Sequence, residues 1–147
     1  MSKDRQPDMN TWSGRMKEWG GGDFTFLSSD GESLTFIVVG LPQQITSFYM
    51  KKPQERIGVP CVTDTGYQLY VCGKRVARKL AKFEKLFTKT AFMVVRHGAE
   101  GDINSQYDVK PLPEKETYSA LMKIKEQDFE QPMIAESVKA AEEVMKQ

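Results

Sequence analysis

Three consecutive segments decide how this chain folds: Tyr67-Gln-Leu-Tyr-Val-Cys72, Lys74-Arg-Val-Ala-Arg-Lys-Leu-Ala-Lys-Phe-Glu-Lys-Leu-Phe-Thr88 and Ala91-Phe-Met-Val-Val-Arg-His97. The first is short, β-branched and aromatic, and Gly73 ends it, so it reads as a strand. In the second, Val76, Leu80, Phe83 and Phe87 recur at helical spacing and form one apolar stripe. It holds no Gly or Pro. The third is apolar on both faces, which predicts a buried strand. A strand, a helix of about 74–88 and a second strand therefore form the centre of the fold.

Upstream, Phe24-Thr-Phe-Leu27 and Leu34-Thr-Phe-Ile-Val-Val39 flank Ser28-Ser29-Asp30-Gly31. Asp-Gly between β-formers predicts a hairpin. Gly40-Leu41-Pro42 stops the second strand. Ile45 to Lys51 reads as a third strand, broken by Pro53. Arg56 to Val62 is β-rich but contains Gly58 and Pro60, which predicts an edge strand or an extended loop. Downstream, Gly98-Ala-Glu-Gly101 turns the chain. Ser105 to Leu112 returns with Tyr107 and Val109 inward and Asp108 and Lys110 outward. Beyond the Pro113 linker, Tyr118, Leu121 and Ile124 mark one helix and Met133 to Met145 another, separated by Pro132.

Strands, one helix and a closing hairpin, in that order, match a five-stranded OB barrel whose helix plugs one end. The expected class is mainly β with flanking helices: an N-terminal arm at 1–22, an OB-fold domain at 23–112 and a helical C-terminal extension at 113–147. Rival architectures are a small α+β sheet with one packing helix and an SH3-like barrel. In the arm, Trp12 and Trp19 precede Gly20-Gly21-Gly22. They serve either to pin the arm or to stack on a ligand.

The chain has 147 residues, 39% of them hydrophobic and 28% charged, which suits one globular core. No apolar run has membrane length, and no secretory pattern opens the chain. The expected location is the cytoplasm. Net charge is +1, but residues 48–99 carry 11 basic and 3 acidic groups, while residues 100–147 carry 6 and 11. A basic middle attracts polyanions.

Catalytic sets are not apparent. His97 has no nucleophile motif beside it, and Cys61 and Cys72 sit in strand contexts that do not lower a thiol pKa. Both are expected to be reduced core residues. Two cysteines and one histidine are too few for the usual zinc site. Glu100 and Asp102 flank a turn, where solvated carboxylates are common. No cofactor and no enzymatic activity are expected.

Binding of a single strand needs cations along the phosphates and flat rings under the bases. Phe48, Tyr49, Tyr67 and Tyr70, with Lys51, Lys52, Arg56, Lys74 and Arg75, bring both together. Period-2 alternation puts Leu69 and Val71 inward with Tyr67, and Gln68 and Tyr70 outward. Tyr70 is then the better stacking ring and Tyr67 the core one. If Ile45 is buried, Phe48 on the opposite face is exposed, unless the helical extension covers it. Arg96 either reaches the groove or stacks on Tyr107. The remaining helix cations, Arg78, Lys79, Lys82 and Lys85, read as a solvated face or as further phosphate contacts.

Phe24-Thr-Phe-Leu-Ser-Ser-Asp-Gly-Glu-Ser-Leu-Thr-Phe-Ile-Val-Val-Gly-Leu-Pro42 resembles the opening strands of bacteriophage single-stranded DNA-binding proteins. Phe92-Met-Val-Val-Arg-His-Gly98, Gly101-Asp102 and Tyr107-Asp-Val-Lys-Pro111 resemble their last hairpin. The resemblance spans about residues 19–112. It implies an OB fold, protection of single-stranded DNA during replication or recombination, and work in the host cytoplasm. RNA stays open as the alternative ligand. The C-terminal extension would then recruit replication or recombination proteins. The chain departs from the family at its end, since Glu142-Glu143-Val-Met-Lys-Gln147 is only mildly acidic. The rival reading is a non-catalytic protein-interaction or virion-associated OB module.

Overall fold

The computed structural model describes residues 10, 24–49, 51–99 and 104–145. Its strands are β1 (Phe24–Thr25), β2 (Ser33–Val38), β3 (Gln43–Tyr49), β4 (Lys52–Thr63), β5 (Gly66–Cys72), β6 (Ala91–His97) and β7 (Gln106–Leu112). Its helices are α1 (Lys74–Ala81), α2 (Lys115–Asp128) and α3 (Pro132–Met145), with a 3-10 turn at Glu84–Leu86. The arm and its two tryptophans, Glu100 and Asp102 lie outside the described residues.

The strands form one mixed sheet in the order β1-β5-β4-β2-β6-β7, with β3 added to β4. The expected mainly β class with flanking helices holds. A closed barrel does not: among the described residues no pairing joins β5 to β7. Instead β1 lies parallel to β5, Phe24 opposite Leu69 and Thr25 opposite Tyr70. The sheet nevertheless curls. Tyr70 and Cys72 from β5 and Tyr107 and Val109 from β7 pack in the same apolar cluster.

Two features of the early strands differ from expectation. The Asp30-Gly31 turn forms, with Gly31 at φ 82°, but it makes no β1–β2 hairpin. Gly31 N–H donates to the Arg96 carbonyl and Arg96 N–H to the Glu32 carbonyl, so the turn extends the β2–β6 ladder. The second difference is β4, a 12-residue strand running through the middle of the sheet. Its two prolines are tolerated for local reasons. Pro53 lies beyond Ile57, the first β4 residue that β5 pairs. The Pro60 carbonyl accepts from Val39 N–H at 2.9 Å. Its ring nitrogen faces the same edge, opposite Val39, where the β2–β4 ladder ends.

The sheet is apolar on both faces. Phe36, Val59, Cys61, Tyr70, Phe92 and Val94 point to the inner face, where α1 inserts Val76 and Leu80. Phe83 and Phe87 pack on Phe92 at 5.7 and 5.6 Å between ring centroids. The helix thus plugs the core with the expected stripe, although regular α-helix stops at Ala81 and turns continue to Lys89. The outer face meets the C-terminal helices. Ile37, Val62 and Ala91 pack against Leu121 of α2, and Ile45, Leu69 and Val71 against Ala141 of α3. Gly40 lies close under α3: a Cβ there would meet Ile134 Cδ1 at 2.8 Å. No helix among the described residues is long and apolar enough to cross a membrane.

Candidate nucleic-acid interface

The second apolar layer reverses part of the expected face assignment. Alternation along β5 holds, but the side that faces the main core is Gln68, Tyr70 and Cys72. Tyr70 is 1% exposed, and its ring meets Phe36 at 6.0 Å. It is not available for stacking. Its hydroxyl has no hydrogen-bond partner among the described residues, and burial pushes its pKa up. Tyr67 is buried too, on the other side of the sheet. Its hydroxyl bonds Ser137 Oγ at 2.8 Å, and its N–H donates to Asp128 Oδ2 at 2.9 Å. Since Ser137 Oγ donates to the Ile134 carbonyl, the tyrosine is the donor in that pair. Tyr67 anchors both C-terminal helices to the sheet and is no part of an exposed site.

Arg96 belongs to the fold as well. At 7% exposure, its guanidinium donates to the carbonyls of Gly98 and Ala99 at 3.0 and 2.7 Å, and to the Tyr107 hydroxyl. Its Cζ also lies 5.6 Å from the Tyr107 ring centroid. Of the two roles open to it, the structure shows the one across the hairpin. Each of its three nitrogens thus donates one hydrogen bond within the β6–β7 region.

The other candidates converge on the β3–β4 hairpin. Pairing runs from Gln43 opposite Gly58 to Tyr49 opposite Lys52. Because β5 pairs β4 only from Ile57 onward, the ribbon beyond that point projects past the sheet. Phe48 stands on it, 40% exposed, while Ile45 is fully buried. This is the expected split, but Ile45 is buried by α3 rather than by the main core. The Tyr49 side chain lies outside the described residues. Lys51, Lys52 and Arg56 are exposed and make no ion pair among the described residues. Lys51 occupies the left-handed region at φ 66°, an uncommon conformation for a residue with a Cβ.

Helix α1 begins beside this ribbon. Lys74 Nζ lies 3.5 Å from Glu55 Oε1, and Gln44 Nε2 donates to the other oxygen of Glu55. Lys74 is therefore drawn to the hairpin base, and the neighbouring Arg75 is exposed. Glu142 of α3 accepts from Thr46 N–H at 3.1 Å, which caps part of the free edge of β3.

Between α1 and the Gly40–Pro42 bend lies a cleft of about 330 Å³. Buried Val59 and Leu80 line its base, Leu41 and Pro42 one side, and Ala77 and Ala81 the other. Leu41 is 75% exposed. The sequence offered one signal for this feature, a leucine inside a Gly-Leu-Pro turn, where no core is within reach.

The groups with catalytic chemistry are engaged elsewhere. Cys61 and Cys72 are free and buried. Burial pushes both thiols up, Cys72 to about 12, so neither is a thiolate at neutral pH. His97 Nε2 pairs with Asp108 Oδ2 at 2.9 Å on the exposed side of β6–β7. No three His, Cys, Asp or Glu side chains are grouped as metal ligands among the described residues.

Compared with protein-family models, curated proteins and solved structures, the chain matches none.

Proposed function

We propose that this chain is a non-enzymatic, sequence-tolerant binder of single-stranded nucleic acid, DNA in the first instance, and that the β3–β4 hairpin is its contact surface. The observation that carries the reading is the projecting ribbon itself. It carries an exposed ring, Phe48, and three exposed cations, Lys51 at the tip and Lys52 and Arg56 on the face opposite Phe48, that form no ion pair among the described residues. Leaving lysines unpaired costs little in water. Opposite phosphates they release counterions, which favours binding and makes it salt-dependent. A stacked ring adds about 1–3 kcal/mol per base and is indifferent to base identity.

Strand connectivity supports an OB reading of the same fold. A bent first strand (β2 then β3) pairs with β4 and with β6, β4 pairs with β5, and β6 with β7. The helix falls between β5 and β6. In that reading β1 takes the seam where a closed barrel would join its third and fifth strands. The likeness of residues 19–112 to phage single-stranded DNA-binding proteins points the same way, and with it to a role in replication or recombination.

Fluorescence anisotropy of a labelled oligo-dT at low salt tests the proposal, with duplex DNA and oligo-rU as competitors. Saturable binding that duplex does not displace is expected. No binding at low salt would overturn it.

A further inference from the structure

We infer that the cleft between α1 and the Gly40–Pro42 bend is a base-binding slot, and that the strand leaves the hairpin along α1 instead of crossing the outer face of the sheet. This inference rests on the nucleic-acid reading above and specifies the route.

Two observations lead to it. First, the outer face of β2, β4 and β5 is closed: α2 and α3 cover it through Leu121 and Ala141. Residues 113–145 carry 8 acidic and 4 basic groups, so that side repels phosphate. Second, cations of α1 border the cleft, and one of them links that border to the hairpin. Ala77 and Ala81 line the cleft. Lys74 and Arg78 each lie three residues before one of them, so they occupy the adjacent strip of helix surface. Lys74 reaches across to Glu55, which lies on the same face of the hairpin as Phe48.

The lining is mostly apolar, the volume falls in the range of small-ligand clefts, and the cations stand on the border. An unpaired base inside with its phosphates outside satisfies both. Glu84, the one acidic residue in the lining, would repel a phosphate but accept a hydrogen bond from a base N–H. An apolar peptide would leave the cationic border unused.

The test is amide NMR of the full chain titrated with oligo-dT, with anisotropy measurements on two variants. Shift changes are expected at Gly40, Leu41, Ala77 and Ala81. Ala81→Phe, which fills the slot, should weaken binding about tenfold for oligo-dT and leave an abasic oligomer unaffected. Leu41→Glu alters an exposed wall residue and should weaken binding similarly, so the slot stays testable if Ala81→Phe fails to fold. If wild type binds oligo-dT, but both foldable variants bind equally well or the shifts fall on α2 and α3, the slot assignment is wrong and the hairpin reading stands. If wild type does not bind at all, the hairpin reading itself has failed. Slot shifts that grow with protein concentration without oligonucleotide would assign the cleft to self-association and overturn the inference.

Discussion

The β3–β4 and β6–β7 hairpins are both antiparallel ribbons with basic side chains, and they differ in what those side chains touch. On β6–β7, Arg96 is enclosed by two carbonyls and a tyrosine hydroxyl, and His97 holds Asp108. Lys79 of α1 donates to the Tyr107 carbonyl at 2.7 Å. On β3–β4, Lys51, Lys52 and Arg56 are exposed, as is Phe48 on the face opposite Lys52 and Arg56. The first ribbon uses Arg96 and His97 to hold itself together, although its Lys110 is exposed. The second leaves its cations available to a polyanion. Counting basic residues does not separate the two; asking which acceptors already surround each one does.

Truncating one side chain on each hairpin should therefore do opposite things. Arg96→Ala leaves the Gly98 and Ala99 carbonyls and the Tyr107 hydroxyl without their donor, and should cost about 3 kcal/mol of stability. Urea unfolding measures that loss, and the folded fraction should bind oligo-dT as wild type does. A stable Arg96→Ala protein with weakened binding would move the interface to β6–β7. Phe48→Ala should do the reverse. It should lower oligo-dT affinity by roughly 1–3 kcal/mol and lower the unfolding midpoint much less than truncation of a fully buried ring does, since Phe48 is 40% exposed. Tyr70→Ala, the other ring first expected on the surface, should instead destabilise by about 3–5 kcal/mol as a buried aromatic truncation.

The smallest effect belongs to Asp108. Its hydrogen bond from His97 holds its carboxyl below the usual carboxylate value. A depressed folded pKa adds stability above the unfolded value and loses it as pH falls through the folded one. The advantage of wild type over Asp108→Asn should accordingly be small near neutrality and fade below about pH 4. Acid titration by circular dichroism checks this. An advantage that grows on acidification would contradict the pairing.

Much of the architecture was legible. The stripe Val76, Leu80, Phe83 and Phe87 announced the plugging helix, and the spacing around Pro132 announced two C-terminal helices. What alternation could not say was which side of β5 faces the main core. Tyr67, Leu69 and Val71 are as apolar as Tyr70 and Cys72, because both sides are buried. The stripe Tyr118, Leu121 and Ile124 held the missing information: a helix with an apolar face needs a second apolar surface to cover. Pro53 and Pro60 pointed away from a long central strand because their unneeded N–H positions depend on which neighbours end nearby. The status of Arg96 was equally hidden, since its partner Tyr107 is eleven residues away and across a ladder.

The most direct measurement is oligo-dT affinity against salt for wild type and for Lys51→Gln/Lys52→Gln. Each phosphate contact on a single strand contributes about 0.7 to the slope of log affinity on log salt. Losing both lysines should then flatten that slope by about 1.4 while the unfolding midpoint stays put. Identical slopes for the two proteins would mean that the ribbon does not touch the phosphates, and the account would be wrong at its centre.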